Sequence, residues 1–416
     1  MMSRLKLCIY RSMCTMFILL GMTSCHWLFP EEEKLKYDRT VLVYMAAENS
    51  LSWEDPYTQM GFHQQDIGEM LQAAGDIPAN SRLLVYLDDT ELPRILSIEQ
   101  QNGRQPIAKV LHSYAAEHNS GDTETLRLVM EWVSENSPSL NYGLVLWSHG
   151  DAWLPAKAPQ RSICIDNERN NSYSNNGTKM DIDAVADVLA GFPRLEFIMF
   201  DACFMQAVEV AYELRHVTRY IIASPAEIPN PGAPYERMLK PLFSIPFDAE
   251  GVIDGYYRAY NDSVISVFGY GSDRYGVSLS AINCDYLDDL AAVTAEMVGK
   301  YALKEEVIDL DGVQRYYPLS SKSRPEFHDM NGYMLRLVAD EADYVRWKRA
   351  FDRAVPYAKS TAWWYSNDAR MQYVDLDTYG GVSCYVPQDV SIYTGLNTKF
   401  RSTAWYAAAG WSRVGW

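Results

Sequence analysis

The chain has 416 residues, 48% of them apolar and 22% charged, a make-up that supports a large buried core and speaks against disorder. Its formal charge of −17 repels phosphate backbones, so the expected partners are cationic and nucleic acid is not among them. The 29 Tyr and 11 Trp are spread along the chain, as expected of core and rim packing.

The first residues carry Arg4, Lys6 and Arg11, then an apolar stretch from Met13 to Met22 that is too short to span a bilayer and reads as an export signal. Met22-Thr-Ser-Cys25 resembles a bacterial lipobox. That resemblance implies a signal peptide over residues 1–24, a lipid on Cys25, and an exported lipoprotein held to the outer membrane or cell surface by its anchor. Residues 25–38, with Pro30-Glu-Glu-Glu33, then read as a solvated tether.

From Arg39 onward strands and helices alternate. Thr40–Ala46 and Arg82–Leu87 are strand-like, Gly61–Ala74 carries helical spacing between them, and Thr123–Val133 is a further helix. A third apolar run, Tyr142-Gly-Leu-Val-Leu-Trp-Ser-His149-Gly150-Asp151, ends in small and polar residues. The segment from Ala152 to Lys179 is polar, Asn-rich and without periodicity, so it reads as a long loop. Asp181–Leu189 is a helix with Asp181 as its cap, and it leads into Leu195-Glu-Phe-Ile-Met-Phe-Asp201-Ala-Cys203. A helix over Phe204–Arg215 and a strand over Arg219–Ser224 follow. This rhythm predicts an α/β fold over residues 39–240, a mainly parallel sheet sandwiched by helices. Residues 241–416 read as a C-terminal α+β extension, with helices at Leu287–Val298 and Glu341–Tyr357 and strand material at Val374–Val386.

In such sheets chemistry gathers at the carboxyl ends of the strands, where His149 and Cys203 stand. A thiol becomes a strong nucleophile as thiolate, and imidazole is the base suited to neutral pH. Alone, a strand-end His is usually structural and a Cys usually a buried thiol; at two neighbouring strand ends they read as a catalytic dyad. A His roughly 50 residues upstream of a Cys is also the caspase-type order. The start of the Phe204–Arg215 helix is expected to favour the thiolate and offer donors to an oxyanion, with Gly150 as a second donor. Cys8 and Cys14 lie in the leader and Cys25 at its end, and Cys284 and Cys384 sit in apolar contexts that read as buried thiols.

Thr40-Val-Leu-Val-Tyr-Met-Ala-Ala-Glu-Asn-Ser-Leu51, Asp66-Ile-Gly-Glu-Met70, Leu146-Trp-Ser-His-Gly-Asp-Ala-Trp153 and Phe200-Asp-Ala-Cys-Phe-Met-Gln-Ala-Val-Glu-Val-Ala-Tyr-Glu-Leu214 resemble the clostripain family of cysteine peptidases. The resemblance runs in order from about Arg39 to Tyr235 and more weakly through Gly380–Pro387 to the C-terminus. It implies a caspase-like fold and protein or peptide substrates cut after Arg or Lys. His149 and Cys203 would be the dyad, with Gly150 and the Cys203 amide as the oxyanion hole. A basic P1 side chain needs a carboxylate to offset its desolvation. Asp201 stands at the family position for that role, and Glu227 in Ser224-Pro-Ala-Glu227 is a second candidate. Pro225 and Ala226 stand where the family's usual acidic run would be.

Family members are often zymogens cut between the His and the Cys, which makes Lys157 and Arg161 the autocleavage candidates. Some relatives need Ca²⁺. Asp88-Asp89 and Asp285-Tyr-Leu-Asp288-Asp289 are acidic, but no run matches a calcium loop, so no cofactor is assigned and Ca²⁺ is left open. Two rivals are weaker. One is a non-catalytic surface lipoprotein of the same fold that binds cationic peptides or glycans. The other is a zinc hydrolase using His149, Asp151 and Cys203, for which no second His stands at ligand spacing.

Overall fold

In β1 (Tyr37–Ala46), Val41, Val43 and Met45 point to one side and Leu42 and Tyr44 to the other, and all five are buried. A strand apolar on both sides needs cover on both, and β2 (Ser81–Asp88), β5 (Ser139–Trp147), β8 (Leu195–Asp201) and β9 (Thr218–Ala223) repeat the pattern. These five parallel strands form the centre of a nine-stranded sheet in a computed structural model of the chain. The structure describes residues 36–55, 58–153, 163–168, 177–262, 276–303, 310–316, 327–366, 370–388 and 394–416. The signal peptide, Cys25, Lys157 and Arg161 lie outside those residues.

The antiparallel strands β3 (Arg94–Glu99) and β4 (Ile107–Ser113) extend the sheet beyond β2. On the other side β10 (Ser278–Asn283) pairs antiparallel with β9, and the later strand β12 (Tyr357–Ser360) pairs with β10. The whole order is β12-β10-β9-β8-β5-β1-β2-β3-β4. Residues Tyr37–Trp416 form one compact unit, so the C-terminal half supplies strands to the same sheet.

One face is covered by α1 (Phe62–Gln72), α5 (Tyr235–Leu242) and α6 (Ala249–Asn261), through Met70, Met238, Leu239, Val252 and Ile253. The other is covered by α2 (Thr123–Asn136), α3 (Ile182–Leu189), α4 (Val208–Leu214), α7 (Leu287–Tyr301) and α9 (Glu341–Ala354). The short α8 (Met330–Leu337) follows β11 (His328–Asp329). The register of β5 on β8 is locked at Gly143, opposite Phe197. A Cβ on Gly143 would lie 2.2 Å from the Phe197 ring, so only glycine lets the ring cross the strand there.

Three expectations are corrected. The helix after Cys203 begins at Val208 rather than Phe204. Phe204 has φ +63, its amide donates to Ala226 O and that of Gln206 to Ser224 O, so 204–207 is spent on strand-like pairing. The Val374–Val386 segment is strand only at Ser383–Cys384. Asp375 folds the chain back by accepting from the Asp377 amide and the Thr378 hydroxyl, and Gly381 turns at φ +73. The polar segment after Ala152 contains a small hairpin, β6 (Ile163–Asp166) against β7 (Thr178–Met180).

Candidate active site

Because β5 lies between β1 and β8, the segments after these three strands meet along one crest, with His149 in the middle. Trp147 is paired with Asp201 in the parallel β5–β8 ladder, and the Ser148 amide still reaches Asp201 O at 3.4 Å. His149 and Cys203 each follow two residues past the ends of these neighbouring strands. Gly150 seals the approach. A Cβ there would lie 2.8 Å from Met205 Sδ and 2.9 Å from Cys203 O, so any side chain at 150 would push the two segments apart. On its other side Gly150 bridges Ile163 of β6.

The backbone around this crest is unusual. Ala152, Cys164 and Phe204 all have positive φ, at +55, +60 and +63. Such conformations cost energy outside glycine and persist where surrounding packing holds them, often at functional sites. At Phe204 the ring is buried and the amide is bonded to Ala226, which swings Cys203 out of the strand line.

Cys203 is half-buried, and its Sγ accepts a hydrogen bond from the Ile228 amide at 3.3 Å. Burial pushes the thiol up to about 12; the Ile228 amide pulls it down, and the charges of Glu227, Asp151 and Asp201 push it up. His149 is half-buried too, and its Nε2 lies 2.9 Å from Ser50 Oγ in the loop after β1. Burial, and secondarily the charge of Lys179 on β7, holds the imidazole down at about 4. Among the described residues Cys164, Cys284 and Cys384 are buried free thiols, and Cys203 is the one that is not fully buried.

The two carboxylates differ in access. Asp201 is buried, 6% exposed, and accepts from the Ala233 amide at 3.2 Å and the Tyr235 hydroxyl at 3.2 Å. Burial raises it to about 7 against those two hydrogen bonds. Glu227 is half-exposed, one residue before the amide that holds the sulfur. Glu227 is thus the more accessible of the two candidates and Asp201 the buried one. The α4 N-terminus contributes nothing to the thiol, since Phe204 to Ala207 separate them, and the expected helix-dipole assistance is withdrawn.

Among the described residues no three or more His, Cys, Asp or Glu side chains are grouped to hold a metal ion. A cavity of about 540 Å³ beside the end of β2 is lined by Glu48, Asp88, Glu117, Asp166 and Glu168. Burial and the neighbouring Asp166 raise Asp88 to about 8. Asp285, Asp288 and Asp289 are engaged with Arg194, Arg215 and Arg353. Histidines outside the zinc alternative's His149, Asp151 and Cys203 are engaged elsewhere: His63 pairs with Asp89, His118 stacks on Tyr114 and His328 is buried in β11. Sequence reading did not single out Ser50, which forms part of Thr40–Leu51; its only signal was a hydroxyl just past a strand end.

A model of the clostripain family matches residues 43–416. Clostripain from Hathewaya histolytica is 24% identical over 225 residues, covering 48% of this chain and 41% of that protein. The chain thus spans less than half the length of that relative. A secreted C11 cysteine protease from Bacteroides thetaiotaomicron, solved with an irreversible peptide inhibitor, is similar at 30% identity and a TM-score of 0.77, covering 91% of this chain and 100% of that one. An inactive zymogen C11 protease from Parabacteroides distasonis is similar at 28% identity and a TM-score of 0.73, covering 92% and 99%.

Proposed function

The chain belongs to the clostripain family, and on that basis we propose that it is a cysteine endopeptidase cutting peptide bonds after Arg or Lys, with Cys203 as nucleophile and His149 as base. The observation that supports this reading is the parallel pairing of β5 with β8, whose last pair, Trp147–Asp201, lies two residues before His149 on one chain segment and two before Cys203 on the other. In the reaction His149 takes the proton of Cys203, and the sulfur attacks the scissile carbonyl carbon. The carbonyl oxygen becomes an oxyanion facing the amides of Gly150 and Cys203. When the tetrahedral species collapses, the C–N bond breaks and the leaving amine takes the proton from His149. Water, deprotonated by the same imidazole, then hydrolyses the thioester and returns the thiol.

For the basic P1 side chain, half-exposed Glu227 is the carboxylate that meets the cation, with buried Asp201 as the second candidate. Replacing Glu227 by Gln is expected to lower kcat/KM on Arg and Lys peptides roughly 10–100-fold, the cost of losing a charge-assisted pair. An unchanged rate would remove Glu227 from the pocket. The similarity to an inactive zymogen supports self-activation in the 153–179 segment, at Lys157 or Arg161. A stable single chain in the active wild type would count against it. The leader and lipobox support export and anchoring through Cys25; labelling with a radioactive fatty acid, lost on Cys25→Ala, tests that.

A further inference from the structure

We infer that Ser50 is a positioning residue for the base, completing a line Ser50–His149–Cys203 across the crest. The inference rests on the reading of His149 as the base. Strand order gives the first argument: β1 and β8 flank β5, so the loop carrying Ser50 and the segment carrying Cys203 approach His149 from opposite sides. The second is the 2.9 Å contact between Ser50 Oγ and His149 Nε2. A neutral imidazole has one N–H and one bare nitrogen, and whichever bond one nitrogen makes sets the state of the other. With Nε2–H donating to Ser50 Oγ, Nδ1 is the bare nitrogen, free to take the thiol proton. Once protonated, the imidazolium still donates to the same oxygen, now more strongly.

A positioning group has to be held itself, and the residue before each partner does this. Asn49 Oδ1 accepts from the Leu51 amide at 2.9 Å, and Asn49 Nδ2 donates to Ala46 O at 2.7 Å, Ile165 O at 2.9 Å and Ser148 Oγ at 3.2 Å. Ser148 Oγ donates to Ala46 O at 2.9 Å and accepts from the Ile165 amide at 3.0 Å. Asn49 and Ser148 are both buried, so this clasp ties the ends of β1, β5 and β6 together beneath the Ser50–His149 pair. The hydroxyl of Ser52 anchors the far side of the turn on Ala47 O.

The test compares Ser50→Ala, Ser50→Thr and His149→Ala in the full chain on an Arg fluorogenic peptide. Kinetics are measured across pH 4 to 9, and folding is checked by thermal unfolding. Ser50→Ala is expected to lower kcat roughly 10–100-fold with little change in KM. Without the acceptor the imidazolium is less stable, so the acid limb of kcat/KM moves to lower pH. Ser50→Thr, which keeps the hydroxyl, restores both. Wild-type kcat and an unmoved limb in Ser50→Ala, with His149→Ala inactive, would overturn this inference alone. Loss of activity in Ser50→Thr equal to that in Ser50→Ala, with the limb unmoved, would overturn it too and assign Ser50 to packing. An active His149→Ala would instead overturn the reading of the base itself.

Discussion

A Cys203 thiol pushed up to about 12 and a His149 imidazole held down at about 4 are both neutral at pH 7. The uncut chain therefore stores no thiolate–imidazolium pair, and its sulfur is engaged by the Ile228 amide. Alkylation follows the thiolate fraction. Iodoacetamide is accordingly expected to label Cys203 of the uncut chain slowly at about pH 7, with a rate that climbs about tenfold per pH unit and no plateau below about pH 9. Mass spectrometry of the Cys203 peptide over time measures this. A plateau near pH 5 to 6 would reveal a preformed ion pair and contradict the neutral resting state.

The proposed dyad depends on the elements that carry it. α1 is pinned to the sheet where Trp147 Nε1 donates to buried Asp66 at 2.6 Å, and again where Glu69 accepts the Tyr235 amide of α5 at 3.0 Å. Burial and the nearby Asp201 and Glu69 raise Asp66 well above the carboxylate range, so the indole meets a group that has lost its water. Trp147→Phe leaves that group without its donor and is expected to cost about 1–3 kcal/mol in urea unfolding. A shift under about 0.5 kcal/mol would show that helix packing alone seats α1. The strands that carry the site were legible because β1, β5 and β8 are nearly unbroken apolar runs. Elements outside that pattern were not. β4 is half-exposed and carries Lys109 and His112, and β6 and β7 sit in a polar segment whose pairing spans residues 166 to 178. The overextended helix after Cys203 is explained by Phe204, an apolar residue with good helical spacing whose φ of +63 is dictated by contacts distant in sequence. Ser50 shows the same limit at the site: a single hydroxyl has no period, and its meaning comes from strand order.

At the scale of the whole molecule, a cut between residues 153 and 179 would separate β1–β5 from β8–β12, yet β5 and β8 pair from Gly143–Phe197 to Trp147–Asp201 at the centre of one sheet. Trp153, the last described residue before the segment, is buried among Phe327, Tyr385 and Phe400 of the C-terminal half. Both pieces share a core, so the cleaved protein is expected to elute as one species in native gel filtration and to part only in denaturant. Separation without denaturant would show that the uncut segment holds the halves together. Everything turns on whether this crest performs thiol chemistry. The most direct measurement is hydrolysis of Arg, Lys and Asp fluorogenic peptides by the purified chain and by Cys203→Ala. Cleavage after Arg and Lys by the wild type alone is the predicted result; cleavage after Asp, or equal rates for the two proteins, would contradict it.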